Sequence, residues 1–163
     1  KRTKPLCHQC PMADICEAKK QNRIAKLPRK KTALEVQTLP LYWLIVRNQD
    51  GAILLEKRPA KGIWGGLYCV PCFEKLDETY ACAEKLGIVS DDLSEHPALT
   101  HRLTHRLLMI TPFEAQISSP DTLPRSENAS KDNRFWVKPE NLADYGLPKP
   151  LADYLKQRQQ ALF

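Results

Sequence analysis

Three cysteines near the start of the chain have the spacing most suited to metal chemistry. Cys7, Cys10 and Cys16 read Cys-x2-Cys-x5-Cys within ten residues. A thiolate is a soft ligand that suits zinc or an iron–sulfur cluster. Close spacing lets one loop wrap a metal, and the neighbouring Lys and Arg residues would offset thiolate and cluster charge. Three ligands are one short of a zinc tetrahedron or a four-iron cluster, so three unligated thiols is the competing reading. Cys69, Cys72 and Cys82 have apolar neighbours and read as buried free thiols. Cys69 and Cys72 formally supply a second Cys-x2-Cys pair, as a zinc-binding interaction module would need. Their apolar setting argues against that use. No secretory signal precedes these cysteines, so a disulfide framework has little support.

The second stretch of interest is Gly62 to Pro71, Gly-Ile-Trp-Gly-Gly-Leu-Tyr-Cys-Val-Pro. Gly65 and Gly66 permit backbone angles that residues with a Cβ avoid. Trp64 and Tyr68 flank them with large rings that each carry a polar handle. Taken alone, this is a tight turn between two strands with an aromatic packed over it.

The elements around these stretches follow from pattern. Gln21 to Leu39 lacks sustained periodicity and reads as a connector. Leu41 to Arg47 is a strand by its aromatic and β-branched content. Asn48 to Gly51 supplies a turn and Ala52 to Arg58 the returning strand. Leu67 to Val70 is a short strand. Glu78 to Leu86 is a helix stopped by Gly87, with Leu76, Tyr80, Ala83 and Leu86 able to share a face. The tandem Leu-Thr-His-Arg-Leu-Thr-His-Arg at Leu99 to Arg106 begins an extended run to Phe113. Strand alternation would put His101, Leu103, His105 and Leu107 on one side, with Thr100, Arg102, Thr104 and Arg106 on the other. Ser118 to Asn133 reads as a surface loop and Phe135 to Val137 as a final strand. Lys149 to Leu162 is a closing helix with Leu151, Tyr154, Leu155 and Leu162 as its stripe. The tetrapeptide Leu-Ala-Asp-Tyr, at Leu142 and again at Leu151, reads as coincidence. Strands, a helix, further strands and a last helix imply an α+β domain: a mixed sheet packed with helices, preceded by an extended basic connector.

Charge separates the arm from the globular part. The chain of 163 residues carries a net +6. Up to Pro40, ten Lys or Arg stand against Asp14, Glu17 and Glu35, a surplus of +7, so the remainder is slightly acidic. Such an arm suits phosphate backbones, and equally a solvated tail. No apolar run approaches the ~20 residues that cross a bilayer, and no signal peptide is expected. The absence of an initial Met suggests a piece of a longer protein.

Together these segments resemble the C-terminal third of MutY-type adenine DNA glycosylases. In that family a [4Fe–4S] loop reads Cys-x6-Cys-x2-Cys-x5-Cys, and Cys7, Cys10 and Cys16 fit its last three ligands. The first would then stand immediately before Lys1. A connector leads to a domain that resembles Nudix, or MutT-like, folds. Its entry, Arg-Pro-x-x-Gly-Leu-Trp-Gly-Gly-Leu-Trp/Tyr, is matched by Arg58 to Tyr68. The resemblance implies a cluster-loop remnant at 1–20, an interdomain connector at 21–38 and a Nudix-like lesion-recognition domain at 39–163.

The family's loop for reading oxidised guanine resembles His-x-Phe-Ser-His, and His101 to His105 occupies its place. Leu103 stands for Phe and Thr104 for Ser. Thr keeps the hydroxyl, while Leu103 stays apolar without an aromatic face. The resemblance implies that Leu103, Thr104 and His105 contact DNA. It implies as partners duplexes with 8-oxoguanine:adenine or guanine:adenine mispairs, and the N-terminal catalytic domain of the same chain. It also implies a [4Fe–4S] cluster in the parent protein, absent or incomplete in this chain. The catalytic residues would lie elsewhere, so this chain alone would be inactive. A cytoplasmic, nucleoid-associated bacterial location follows from the same resemblance.

The rival is a true Nudix hydrolase of nucleotide diphosphates. Its magnesium helix reads Gly-x5-Glu-x7-Arg-Glu-x-x-Glu-Glu-x-Gly. Aligned on Gly87, only Glu84 remains of the ligand set, with Tyr80, Ala81 and Lys85 at other charged positions. A hard cation needs oxygen ligands that these residues do not offer.

Overall fold

The computed structural model describes residues 5–28, 36–117 and 133–160, the side chains of 159 and 160 excepted. The chain divides into two compact units, 1–35 and 36–163. In the first, a single 3-10 turn spans Cys7–Gln9, a short helix α1 spans Glu17–Lys20, and a second 3-10 turn spans Ile24–Lys26. Its apolar side chains are poorly covered: Leu6, Met12, Ile15 and Leu27 are all exposed.

The second unit is built on an eight-stranded mixed sheet. Its centre is β1 (Gln37–Arg47) and β7 (Arg106–Gln116), paired parallel without interruption from Gln37↔Arg106 to Arg47↔Gln116. On the far side of β1 lies β2 (Ile53–Lys57), flanked by β3 (Tyr68–Cys69) and β8 (Arg134–Val137), both antiparallel to it. The two-residue β4 (Cys72–Phe73) also pairs with β1. On the other flank, β5 (Ser94–Glu95) and β6 (Leu99–Arg102) both run antiparallel to β7.

Strand alternation explains two core layers, one on each face of the sheet. Trp43, Ile45, Ile53, Leu55, Leu108, Ile110 and Phe135 face one side. There they meet Leu151 and Leu155 from α3 (Lys149–Gln160) and Leu142 from the 3-10 turn Pro139–Asp144. Leu44, Val46, Leu54, Phe113, Ala115 and Trp136 face the other, against Cys82 and Ala83 of α2 (Leu76–Lys85). No helix among the described residues is long and apolar enough to cross a membrane.

Several expectations need correction. Strand β1 begins at Gln37, not Leu41, because β7 continues past the apolar run and pairs with it. Helix α2 starts at Leu76 and buries Thr79, Cys82 and Ala83. Of the expected face, Ala83 is buried and Leu86 packs on the second core layer, but Leu76 and Tyr80 stay exposed, so the buried face is shifted. Small side chains let the helix approach the sheet closely, and the Thr79 hydroxyl donates to the Lys75 carbonyl at 3.4 Å. The run from Leu99 to Phe113 is a hairpin broken by a two-residue loop. Leu107 therefore pairs with Arg102 and shares its face of the sheet, not that of His101. Of the loop expected from Ser118 to Asn133, all but Asn133 lies outside the described residues, as does Leu162. The two Leu-Ala-Asp-Tyr copies sit in unlike elements, yet Leu142, Tyr145, Leu151 and Tyr154 all join the first core layer.

Candidate nucleic-acid interface

The β6–β7 hairpin brings the sequence-predicted residues to one tip. His101 pairs with Leu108 and Arg102 with Leu107, and the Leu103 N–H donates to the Arg106 carbonyl at 2.8 Å. Thr104 and His105 are thus the whole connecting loop, and both are exposed. Leu103 turns the other way. It is half-buried and packs on the first core layer beside Leu99. One residue anchors the tip and two present polar groups outward.

The glycine-rich turn flanks the same hairpin. Its backbone closes through Gly65 N–H to the Gly62 carbonyl (3.3 Å), Gly66 N–H to Pro59 (3.0 Å) and Leu67 N–H to Trp64 (3.1 Å). A Cβ on Gly65 would lie 2.5 Å from the Ala60 carbonyl oxygen, so no other residue fits without displacing backbone. Trp64 itself holds φ +56°, an outlier for a bulky residue that costs roughly 1–3 kcal/mol. Its ring packs between Trp43, at 5.9 Å between centroids, and His101, at 6.4 Å. Nothing in the sequence signals that strain or that contact, because both depend on how the turn meets β6.

Behind the hairpin, a polar cluster ties α3 to β7. Glu114 accepts from the Tyr154 hydroxyl (2.8 Å) and from Arg158 Nε (3.0 Å) and Nη2 (3.2 Å). His96 Nε2 lies 3.9 Å from the same carboxylate. Burial pushes the Glu114 carboxyl up, but the bonds from Arg158 and Tyr154 outweigh it and hold the group below the usual carboxylate range. Burial and the neighbouring carboxylate push the Tyr154 phenol well above its ordinary value. A groove of about 430 Å³ runs between β6 and α3, bordered by His96, His101, Lys149 and Tyr154.

The helix where a Nudix hydrolase holds magnesium is built differently here. On its inner side Arg134 pairs with Glu56 at 2.9 Å and donates to Cys82 Sγ at 3.4 Å. Arg58 lies 3.9 Å from the other Glu56 oxygen. Two guanidiniums therefore share this carboxylate, which disfavours a dication beside it. Glu84 is exposed, and Tyr80 packs edge-on against Phe113.

Of the cysteines, Cys10 is exposed and Cys7 and Cys16 are half-buried. Cys10 N–H donates to the Cys7 carbonyl at 3.4 Å, and the Cys16 carbonyl caps the first turn of α1. Three soft thiols followed by Lys19 and Lys20 are suitable donors for an iron–sulfur cluster. Among the described residues, no three His, Cys, Asp or Glu side chains gather as a metal-holding group. Cys69 is buried in the first core layer, where burial raises its thiol well above the ordinary value. Burial likewise pushes Cys72 up to about 11. Both are inert, protonated thiols, unlike a ready zinc pair.

The mixed sheet between two helices, with this turn and hairpin, defines a Nudix fold. Comparison agrees: the NUDIX domain matches residues 42–157, and the chain belongs to that family. Residues 1–16 match the iron–sulfur binding domain of endonuclease III. Two curated adenine DNA glycosylases of Buchnera aphidicola align with nearly the whole chain. That of subsp. Schizaphis graminum is 29% identical over 93% of it, and that of subsp. Baizongia pistaciae 24% over 92%. The chain spans 43% and 41% of their respective lengths. The C-terminal domain of mouse MUTYH, solved in complex with human PCNA, superposes with a TM-score of 0.55 at 14% identity. That match covers 75% of this chain and 89% of the mouse domain, and it shows the shared fold.

Proposed function

We propose that this chain is the lesion-recognition part of an adenine DNA glycosylase, which finds 8-oxoguanine opposite adenine so that the mispaired adenine is removed. The observation that carries this reading is co-linearity. A thiol loop, a connector and a Nudix domain occur in one order, and adenine DNA glycosylases align with that series over 92–93% of the chain. Residues 1–20 would close an iron–sulfur loop and 21–38 would link it to the recognition domain at 39–163. Cys7, Cys10 and Cys16 would hold three corners of a [4Fe–4S] cluster whose role is to order the loop. The catalytic pocket that receives the flipped adenine would lie in another part of the longer chain. A cytoplasmic location beside the nucleoid fits that task.

The hairpin supplies the chemistry of discrimination. Guanine presents N7 and O6 as acceptors in the major groove. Oxidation at C8 turns N7 into an N–H donor and adds an oxygen. A Thr104 hydroxyl can accept from the new N–H, while His105 contacts a nearby phosphate. Leu103 anchors the tip against the core.

Fluorescence anisotropy with labelled duplexes tests this reading. The chain should bind 8-oxoguanine:adenine duplexes more tightly than guanine:adenine duplexes, and Thr104→Ala should remove about 1–3 kcal/mol of that preference. Equal affinities for the two duplexes would leave only an electrostatic role and refute the reading.

A further inference from the structure

We infer that Trp64 is a positioning residue that sets the reading tip through His101; this rests on the function proposed above. Strand β6 lies at the sheet's margin and has only four residues, Leu99–Arg102. Among the described residues its strand pairing is with β7 alone. A two-residue loop on such a strand needs a side-chain brace if its hydroxyl is to stay aimed. The brace is visible as a row of rings. Trp43 is fully buried on the central strand. Trp64 packs on it at 5.9 Å and an interplanar angle of 44°. His101 packs on Trp64 at 6.4 Å and 46°, two residues before Leu103. Tyr154 buttresses Trp43 from α3 at 6.3 Å.

The backbone of the turn points the same way. Trp64 keeps a left-handed φ that a bulky residue avoids. Gly65, beside it, is pressed against the Ala60 carbonyl. A strained aromatic held by a close-packed glycine is over-determined by its surroundings, as at sites where placement matters. A turn serving only to connect β2 and β3 would not need an indole reaching over to β6.

Two measurements separate this inference from the reading beneath it. In the free protein, backbone ¹⁵N relaxation reports tip order on the ps–ns scale. Trp64→Ala and His101→Ala should lower the order parameters of Thr104 and His105, and Trp64→Phe and His101→Phe should restore them. In the duplex assay, the alanine variants should lower the 8-oxoguanine-over-guanine affinity ratio about fivefold or more, with undamaged-duplex affinity within about twofold. If Trp64→Ala loses its cooperative melt, His101→Ala decides, since His101 is only half-buried on a marginal strand. Unchanged tip order in a folded alanine variant overturns the inference. So does a His101→Phe variant as impaired as His101→Ala, which would assign His101 a polar role. A wild-type chain that does not discriminate the duplexes refutes the proposed function, while relaxation still decides whether Trp64 braces the tip.

Discussion

Gly65→Ala isolates the close packing of the glycine-rich turn. The added methyl would lie 2.5 Å from the Ala60 oxygen and 2.9 Å from its carbonyl carbon. Both are backbone atoms, in a segment pinned by the Gly66 N–H to Pro59 bond at 3.0 Å and the Arg58 N–H to Leu67 bond at 2.8 Å. No flexible side chain can yield, so the turn must shift. Over-packing of this kind costs about 1–3 kcal/mol, equivalent to a drop of about 2–12 °C in Tm for a domain of this size. Gly146→Ala is the matched control. Its Cβ would meet only the Leu67 Cδ2 at 3.5 Å, an ordinary contact. Removing a glycine there should leave stability unchanged or raise it by about 0.4–1 kcal/mol through the unfolded chain. Thermal melts followed by circular dichroism compare the two. A Gly65→Ala protein melting within about 1 °C of wild type, or no lower than Gly146→Ala, would refute the reasoning.

The Glu114 cluster predicts an acid-sensitive fold. Its folded pKa lies below the unfolded value, so its stabilisation is present above the unfolded value and is lost as pH falls through the folded one. Denaturant melts should show this loss in wild type below the usual carboxylate range, and Glu114→Gln should flatten it. At pH 7 the same substitution should cost about 1–2 kcal/mol, since Arg158 is partly solvated and keeps water as a partner. Thiol labelling at pH 7.5 should modify Cys7, Cys10 and Cys16 quickly, the half-buried Cys72 with its raised pKa more slowly, and the buried Cys69 and Cys82 only on unfolding; rapid reaction of Cys69 or Cys82 in the folded protein would contradict the burial. Magnesium should not elicit hydrolysis of nucleoside diphosphate derivatives, and phosphate release above background would show that Glu56 escapes its two guanidiniums.

Much of the domain was legible because its strands are buried on both faces. Leu41 to Val46 and Ile53 to Leu55 are continuous apolar runs, and few other structures accept them. The closing helix was legible from Leu151 and Leu155. What escaped was set by partners distant in sequence. Gln37 to Pro40 carries no strand pattern and is extended only because β7 runs alongside. Cys72 and Phe73 form β4 by pairing with Trp43 and Tyr42. The face of α2 was misread because size, not hydrophobicity, chose Thr79 and Cys82 over Leu76 and Tyr80. At the candidate site, residue types at 101–105 were readable, but their division into an anchor and a two-residue loop was not. That division follows from the register of the β6–β7 hairpin. The Glu114–Arg158 contact joins residues 44 positions apart and leaves no local trace.

The parallel pairing of β1 with β7 carries a consequence for how the domain is made. Its two strands are separated by about seventy residues, and pairing of such distant segments is slow. During synthesis, β1 emerges long before β7, the strand that covers its full length. Until residue 116 clears the ribosome, an edge of β1 that includes the apolar run Leu41 to Val46 stands open, a hazard for neighbouring nascent chains. A stop codon placed after β1 and before β7 should yield insoluble product and no smaller working domain.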